Sequence, residues 1–592
     1  MKSVKYQFEL VDITAHMLRV TLQFSPKQPS TVLTLPAWIP GSYMIRDFAR
    51  NITAIRAFDA CGAVKLTQLD KQRWQLEGNS NVVTVEYYVY AYDLSVRAAY
   101  IDDEVAILNP ACLCLAVEGQ QALPHQLNLV KPAIPACKDW RVATALPHHS
   151  TTKALGFGRY QAANYDELID RPLLLGRFSI SQFSIDEVPH YVVVSGSNRT
   201  DLTRFTDDLA KICQQQKAVF GELPDDLTQY WFLLWVTEDG YGGLEHKDST
   251  LLLCSRFDLP APGATEIDDN YQNLLALCSH EYFHTWWVKR LKPACFHPYQ
   301  LHAEQYTSQL WLYEGFTSYF DDLALVKAGL IPTERYINTL EKTISRVNRN
   351  PSDSVQSLLD SSFTAWTKFY KQDENAPNAV VSYYAKGALL ALCLEAQLHA
   401  NGSSLQQLVR WLWQHYLSTG TADNAVECSL TQMGFAEIAS LLTQWLSQAA
   451  PLPLQQTLPA LGLELVYRPM QHMDDNGGSS NNCGNNSIFI GAQTKVVNGL
   501  LQLSQVYQGG NVHNAGLMAG DQLLAIDGIK VSANNLSKLL SRYNVGDQLK
   551  VHFYRKDRLL SANLTLNTAT QQVAVLTIKD VLLCNAWLAT RD

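Results

Sequence analysis

His280-Glu281-Tyr282-Phe283-His284 sets two imidazoles four residues apart, with a carboxylate next to the first. On a helix, positions i and i+4 share a face, so both rings can turn a nitrogen toward one metal ion. Glu281 is then placed to take a proton from a water on that ion. The chemistry this pattern serves is metal-assisted hydrolysis, with Zn²⁺ as the expected metal. Leu274, Leu277 and Phe283 give the same helix an apolar side. Buried in that way, a His-Glu-His cluster needs a partner, whereas on a solvated surface helix it would not.

A catalytic zinc takes a third protein ligand and keeps one position open. Two downstream carboxylates compete for that role. Glu314 lies in Leu310-Trp311-Leu312-Tyr313-Glu314-Gly315-Phe316, among bulky apolar neighbours, and Glu304 lies among polar residues. A first-turn carboxylate such as Glu304 is already favoured by the helix dipole in water. Glu314 is therefore the expected third ligand, and one zinc ion is expected.

Helices at 271–289, 303–327 and 382–399 must position these groups, and a strand is expected at 229–237. The chain of 592 residues is too long for one core and suggests about three or four folded units. From the N-terminus to about residue 176 the pattern is period two, as in Leu18, Val20, Leu22, Phe24 and again Val83, Val85, Tyr87, Val89. An antiparallel β-sandwich over 1–176 follows. Residues 177–455 read as a mixed domain ending in helices. Residues 456–592 read as short strands with Gly-rich turns and a C-terminal tail, interrupted at 471–487 by an Asn/Gly/Ser-rich stretch expected to be a mobile loop. The fold class is multidomain α+β.

Hydrophobic residues make up 47% and charged residues 17%, a globular balance. The net charge of -9 and the lack of a long basic run argue against nucleic acid as a partner. The polar start lacks a signal peptide's apolar run, and no stretch is apolar enough for membrane insertion, so a cytoplasmic protein is expected. The twelve cysteines are scattered, several of them inside apolar stretches, and read as buried thiols.

The HExxH motif followed by LWLYEGFTSYF resembles the gluzincin metallopeptidases. Between His284 and Glu314 lie 29 residues, a longer gap than that clan's usual one, with an insertion at 291–304. The long gap, together with His284-Thr285-Trp286-Trp287-Val288-Lys289-Arg290-Leu291-Lys292-Pro293, resembles the glycyl aminopeptidases of metallopeptidase family 61. Pro36-Ala37-Trp38-Ile39-Pro40-Gly41-Ser42-Tyr43 and Asp93-Leu94-Ser95-Val96-Arg97 are similar to that family's N-terminal domain. Residues 489–566 resemble a PDZ domain in its place.

The resemblance implies a thermolysin-like catalytic domain and an aminopeptidase that prefers N-terminal glycine, then alanine. In Gly240-Tyr241-Gly242-Gly243-Leu244-Glu245-His246 it implies that Glu245 grips the substrate's ammonium group while Gly242 and Gly243 line the peptide. Read alone, this run is ordinary turn punctuation. In Ser382-Tyr383-Tyr384-Ala385-Lys386-Gly387 it implies that Tyr384, rather than Tyr383, is the transition-state tyrosine. Phe489-Ile490-Gly491-Ala492 resembles a PDZ carboxylate loop, which implies a peptide C-terminus as a second partner besides peptides with a free N-terminus. Two other readings stay open: a zinc endopeptidase that uses the PDZ domain to recruit proteins, and a non-enzymatic PDZ scaffold.

Overall fold

The computed structural model describes residues 3–78, 81–471, 475–479, 490–568 and 571–589. It divides into two compact units, Met1–Gln305 with Trp413–Ala422 and Tyr306–Leu412 with Asp423–Asp592.

The first unit opens with a ten-stranded sheet. Its strands Met17–Phe24 and Val83–Tyr90 bury every second side chain, with Leu18, Val20, Leu22 and Phe24 facing one core. Each such burial stabilises by roughly 1.5–3 kcal/mol. The expected antiparallel pairing has one exception, because Val4–Asp12 runs parallel to His125–Leu129. A four-stranded sheet, ordered Arg141–Thr144, Leu173–Gly176, Val105–Leu108, Tyr100–Ile101, joins this core.

A third sheet lies against the helix Asp269–Phe283. Its order is Phe178–Ile185, Val188–Ser195, Tyr230–Thr237, Ser249–Ser255, Gly242–Glu245. Tyr230–Thr237 is parallel to both neighbours and buried along almost its whole length, as a central strand covered on two faces must be. Gly242–Glu245 is the sheet's edge.

In the second unit the helices Gly315–Lys327, Thr333–Arg349 and Ala385–Ala400 pack together, the last buried on nearly every side. An antiparallel sheet follows, ordered Ala492–Val497, Leu500–Val506, Gln522–Ile526, Gln548–Arg555, Arg558–Thr565, with its own apolar core. Beyond it the chain returns. Gln571–Ile578 pairs with Leu463–Pro469, and its Ala574 and Leu576 N–H groups donate to Ser345 Oγ (2.9 Å) and Glu341 Oε1 (2.8 Å). Among the described residues no helix is long and apolar enough to cross a membrane, and the described cysteines are free thiols, most of them buried.

Three local expectations are corrected. The first helix runs Asp269–Phe283 and stops short of 289. After it Trp286 is buried, donating Nε1–H to Glu222 O (2.9 Å), and Val288 takes a left-handed φ of 73°, which ends any helix. The second helix begins at Leu310 instead of 303 and is interrupted at Glu314. Over 300–303 the carbonyls are used elsewhere: Trp38 Nε1 donates to Gln300 O (3.1 Å) and Ala303 O (2.8 Å), and Ala37 N to Leu301 O (2.6 Å). Within the stretch expected to be mobile, residues 475–479 are held in place. Asp475 is buried and takes two hydrogen bonds from Arg468 (2.5 and 2.9 Å), and Gly478 N donates to Ala574 O (2.9 Å).

Candidate active site

The helix that carries the HExxH motif starts where Asp268 accepts from Tyr271 N (2.8 Å) and caps its first turn. Tyr271 OH donates to Asp208 Oδ2 (2.9 Å), and Gln216 Nε2 donates to Ser279 Oγ (2.8 Å), which seats the helix against Leu202–Phe220. Tyr282, inside the motif, is anchored by His190. That imidazole donates Nδ1–H to Val188 O (2.9 Å) and accepts from the Tyr282 hydroxyl at Nε2 (2.8 Å). Burial pushes the pKa of His190 down to about 4, so it stays neutral and keeps this role.

On the same helix the His280 and His284 rings meet edge to face at 4.8 Å. His284 Nδ1 donates to Trp287 O (3.1 Å), which leaves the Nε2 lone pair for a metal. One ligand atom from each of His280, His284 and Glu314 lies within 4.8 Å of the others. Two imidazoles and a carboxylate at that spacing are the donor set of a catalytic zinc, so the residues present fit the ion. Glu304, the competing carboxylate, is exposed, and Glu314 is 2% exposed.

Glu314 and Tyr384 are brought near each other by two glycines. A Cβ on Gly315 would lie 2.6 Å from Gly387 Cα, so the helices Gly315–Lys327 and Ala385–Ala400 touch backbone to backbone. Only glycine permits that approach. Lys386 is buried beside this crossing, paired with Asp353 and donating to Ala450 O (2.9 Å). Tyr384 is half-buried and Tyr383 fully buried, their rings stacked at 4.7 Å. Burial first, then the charge of Glu314, raises the Tyr384 pKa well above the usual phenol value, so its hydroxyl remains a donor.

The edge strand Gly242–Glu245 supplies the next layer. A Cβ on Gly243 would fall well inside van der Waals distance of Glu281 Oε1, so the strand passes directly against the motif's carboxylate. Glu245, two residues on and therefore on the same face, is 4% exposed, and its Oε1 has no hydrogen-bond partner among the described residues. Past Glu245 the chain is pinned by Asp170, which accepts from Lys289 Nζ (2.6 Å) and Lys247 N (2.8 Å). Burial alone would raise the pKa of Asp170, but Lys289 and His246 outweigh it and hold the carboxyl well below its usual range.

Sequence reasoning missed Gly41. In the sequence Gly41 stands only within the Pro36–Tyr43 run, and nothing local says what it touches. Gly41 has φ +96°, and a Cβ there would overlap both carboxylate oxygens of Glu245. Gly41→Ala should therefore displace Glu245 and lower kcat/KM on free aminoacyl substrates by about 10²-fold, with metal content unchanged. Steady-state kinetics paired with metal analysis checks this, and unaltered kinetics would remove Gly41 from the site.

Of the expected PDZ loop, Phe489 lies outside the described residues. Ile490 and Ala492 are buried, Ile490 O accepts from Val512 N (2.9 Å), and Gly491 O accepts from Tyr507 N (2.9 Å). Gly491 also packs on Gly510, where a Cβ would lie 2.7 Å from its Cα.

Residues 5–177 match the Peptidase M61 N-terminal domain, residues 273–390 the M61 glycyl aminopeptidase family and residues 489–566 the PDZ domain. A crystal structure of an aminopeptidase N family protein from Idiomarina loihiensis is 40% identical with a TM-score of 0.95, the match covering 99% of this chain and all of that one. An M1 zinc metallopeptidase from Deinococcus radiodurans is 13% identical over 76% of this chain and 95% of its own, at a TM-score of 0.49, a likeness too distant to bear on the site. No curated protein matches. Taken with the His280, His284 and Glu314 cluster, these matches place the chain in the M61 glycyl aminopeptidase family, as a metallopeptidase with a PDZ domain after its catalytic region.

Proposed function

We propose that this metallopeptidase is a one-zinc aminopeptidase that removes N-terminal glycine, and alanine less readily, from peptides. The observation that carries the reading is Glu245: a buried carboxylate with an unpartnered oxygen, one dipeptide step along an open strand edge from Glu281. A substrate ammonium group is the partner such a carboxylate lacks. The preference for glycine rests on the family's description alone.

His280, His284 and Glu314 would hold the ion, which when bound supplies the positive charge that acidifies water and polarises a carbonyl. Glu281 accepts a proton from the attacking water and passes it to the leaving nitrogen. Tyr384 donates to the negative charge developing on the scissile carbonyl oxygen. The edge strand aligns the peptide by main-chain pairing while Glu245 fixes its start. On the same reading, the PDZ segment takes a peptide C-terminus.

The test is hydrolysis of glycyl and alanyl substrates with free and blocked amino groups, before and after a chelator and again after zinc is returned. Free substrates should be cleaved, glycyl fastest, with activity lost to the chelator and restored by zinc. Cleavage of blocked substrates at comparable rates would replace this reading with an endopeptidase.

A further inference from the structure

Arg97 lies in the Asp93-Leu94-Ser95-Val96-Arg97 segment between the buried Val96 and Ala98 and is itself half-buried. Its Nη2 reaches Gly243 O at 3.4 Å, and its Nη1 lies 3.8 Å from where a Gly242 Cβ would sit. Among the described residues its Nε is shielded from solvent and has no hydrogen-bond partner. A guanidinium cannot discard its charge by losing a proton. Partly burying it with one long hydrogen bond is unfavourable unless an anion arrives.

The strand beside it acts as a ruler. Glu245 and Gly243 are two residues apart, about 6.6 Å along a strand. An extended dipeptide separates its ammonium nitrogen from its carboxylate by two residues, about the same distance. A dipeptide lying antiparallel to Gly242–Glu245, with its ammonium at Glu245, therefore brings its carboxylate to Gly243 and Arg97. Its single peptide bond falls between them, on the face where Gly243 abuts Glu281.

We propose that Arg97 receives the α-carboxylate of a dipeptide, making dipeptides with a free C-terminus the favoured substrate class. This inference rests on the aminopeptidase reading above. The competing role for Arg97 is to brace the edge strand through Gly243 O, which would affect all substrates alike.

The experiment compares glycyl-leucine with glycyl-leucinamide on the full-length zinc-loaded protein. Wild type should show kcat/KM about 10-fold or more higher for the free acid, mostly through KM. Arg97→Gln should bring that ratio close to one, and Arg97→Lys should keep part of it. A wild-type ratio near one, or a ratio unchanged in both variants whatever their absolute rates, overturns the proposal while leaving the aminopeptidase reading intact. Cleavage of neither compound by wild type would overturn both.

Discussion

Glu281→Gln leaves zinc content at the wild-type level and lowers kcat by about 10³-fold. The substitution keeps the shape of a side chain that is 4% exposed and lies against the backbone of Gly243, so neither helix nor strand needs to move. His280 and His284, on either side in the same motif, are untouched. What is lost is the ability to accept a proton, and the rate should report that loss alone. Turnover and metal content measured on one preparation decide it, because near-normal kcat in a zinc-replete variant would take the general base away from Glu281.

Glu245→Ala gives the second large effect, a fall of about 10²-fold or more in kcat/KM for substrates with a free amino group. Removing one member of a buried charge pair leaves the other desolvated and unpaired, which typically costs 2–5 kcal/mol. The effect should be confined to substrates that carry the ammonium group. The informative quantity is thus the ratio of free to N-acetylated substrate turnover, which should collapse. An unchanged ratio would sink Glu245 as the anchor even if overall activity dropped.

The parts of the site legible in the sequence are those whose geometry is set within a few residues. Two histidines on one helical face need only the helix, and Glu314 among Trp311, Tyr313 and Phe316 announces its own burial. The alternation through Leu18, Val20 and Leu22 announced a sheet in the same way. What was not legible is decided by partners far away in the chain. The helix expected to run to 289 stops at Phe283, with Trp286 bonded to Glu222 and Val288 left-handed beyond it, and the helix expected from 303 starts only at Leu310, the carbonyls of 300–303 being bonded by residues 37, 38 and 72. Gly41 and Arg97 were visible only as parts of quoted motifs, since their roles lie in what they approach across the fold. Asp475 reads in the sequence as part of a polar linker, and what buries it is Arg468, which donates to both of its oxygens.

The grip of Trp38 on the insertion also sets how this gene can be shuffled. Residues 37, 38 and 72 donate to the backbone carbonyls of 300, 301, 302 and 303, and Tyr43 stacks on Phe296 at 6.0 Å. A crossover that imported another relative's β-rich region without its matching 291–304 segment would strand those donors and acceptors against foreign partners, each unpaired buried group typically costing 1–3 kcal/mol. Inheritance should therefore keep two stretches of coding sequence linked although more than two hundred residues separate them, and chimaeras should fold when both are exchanged together.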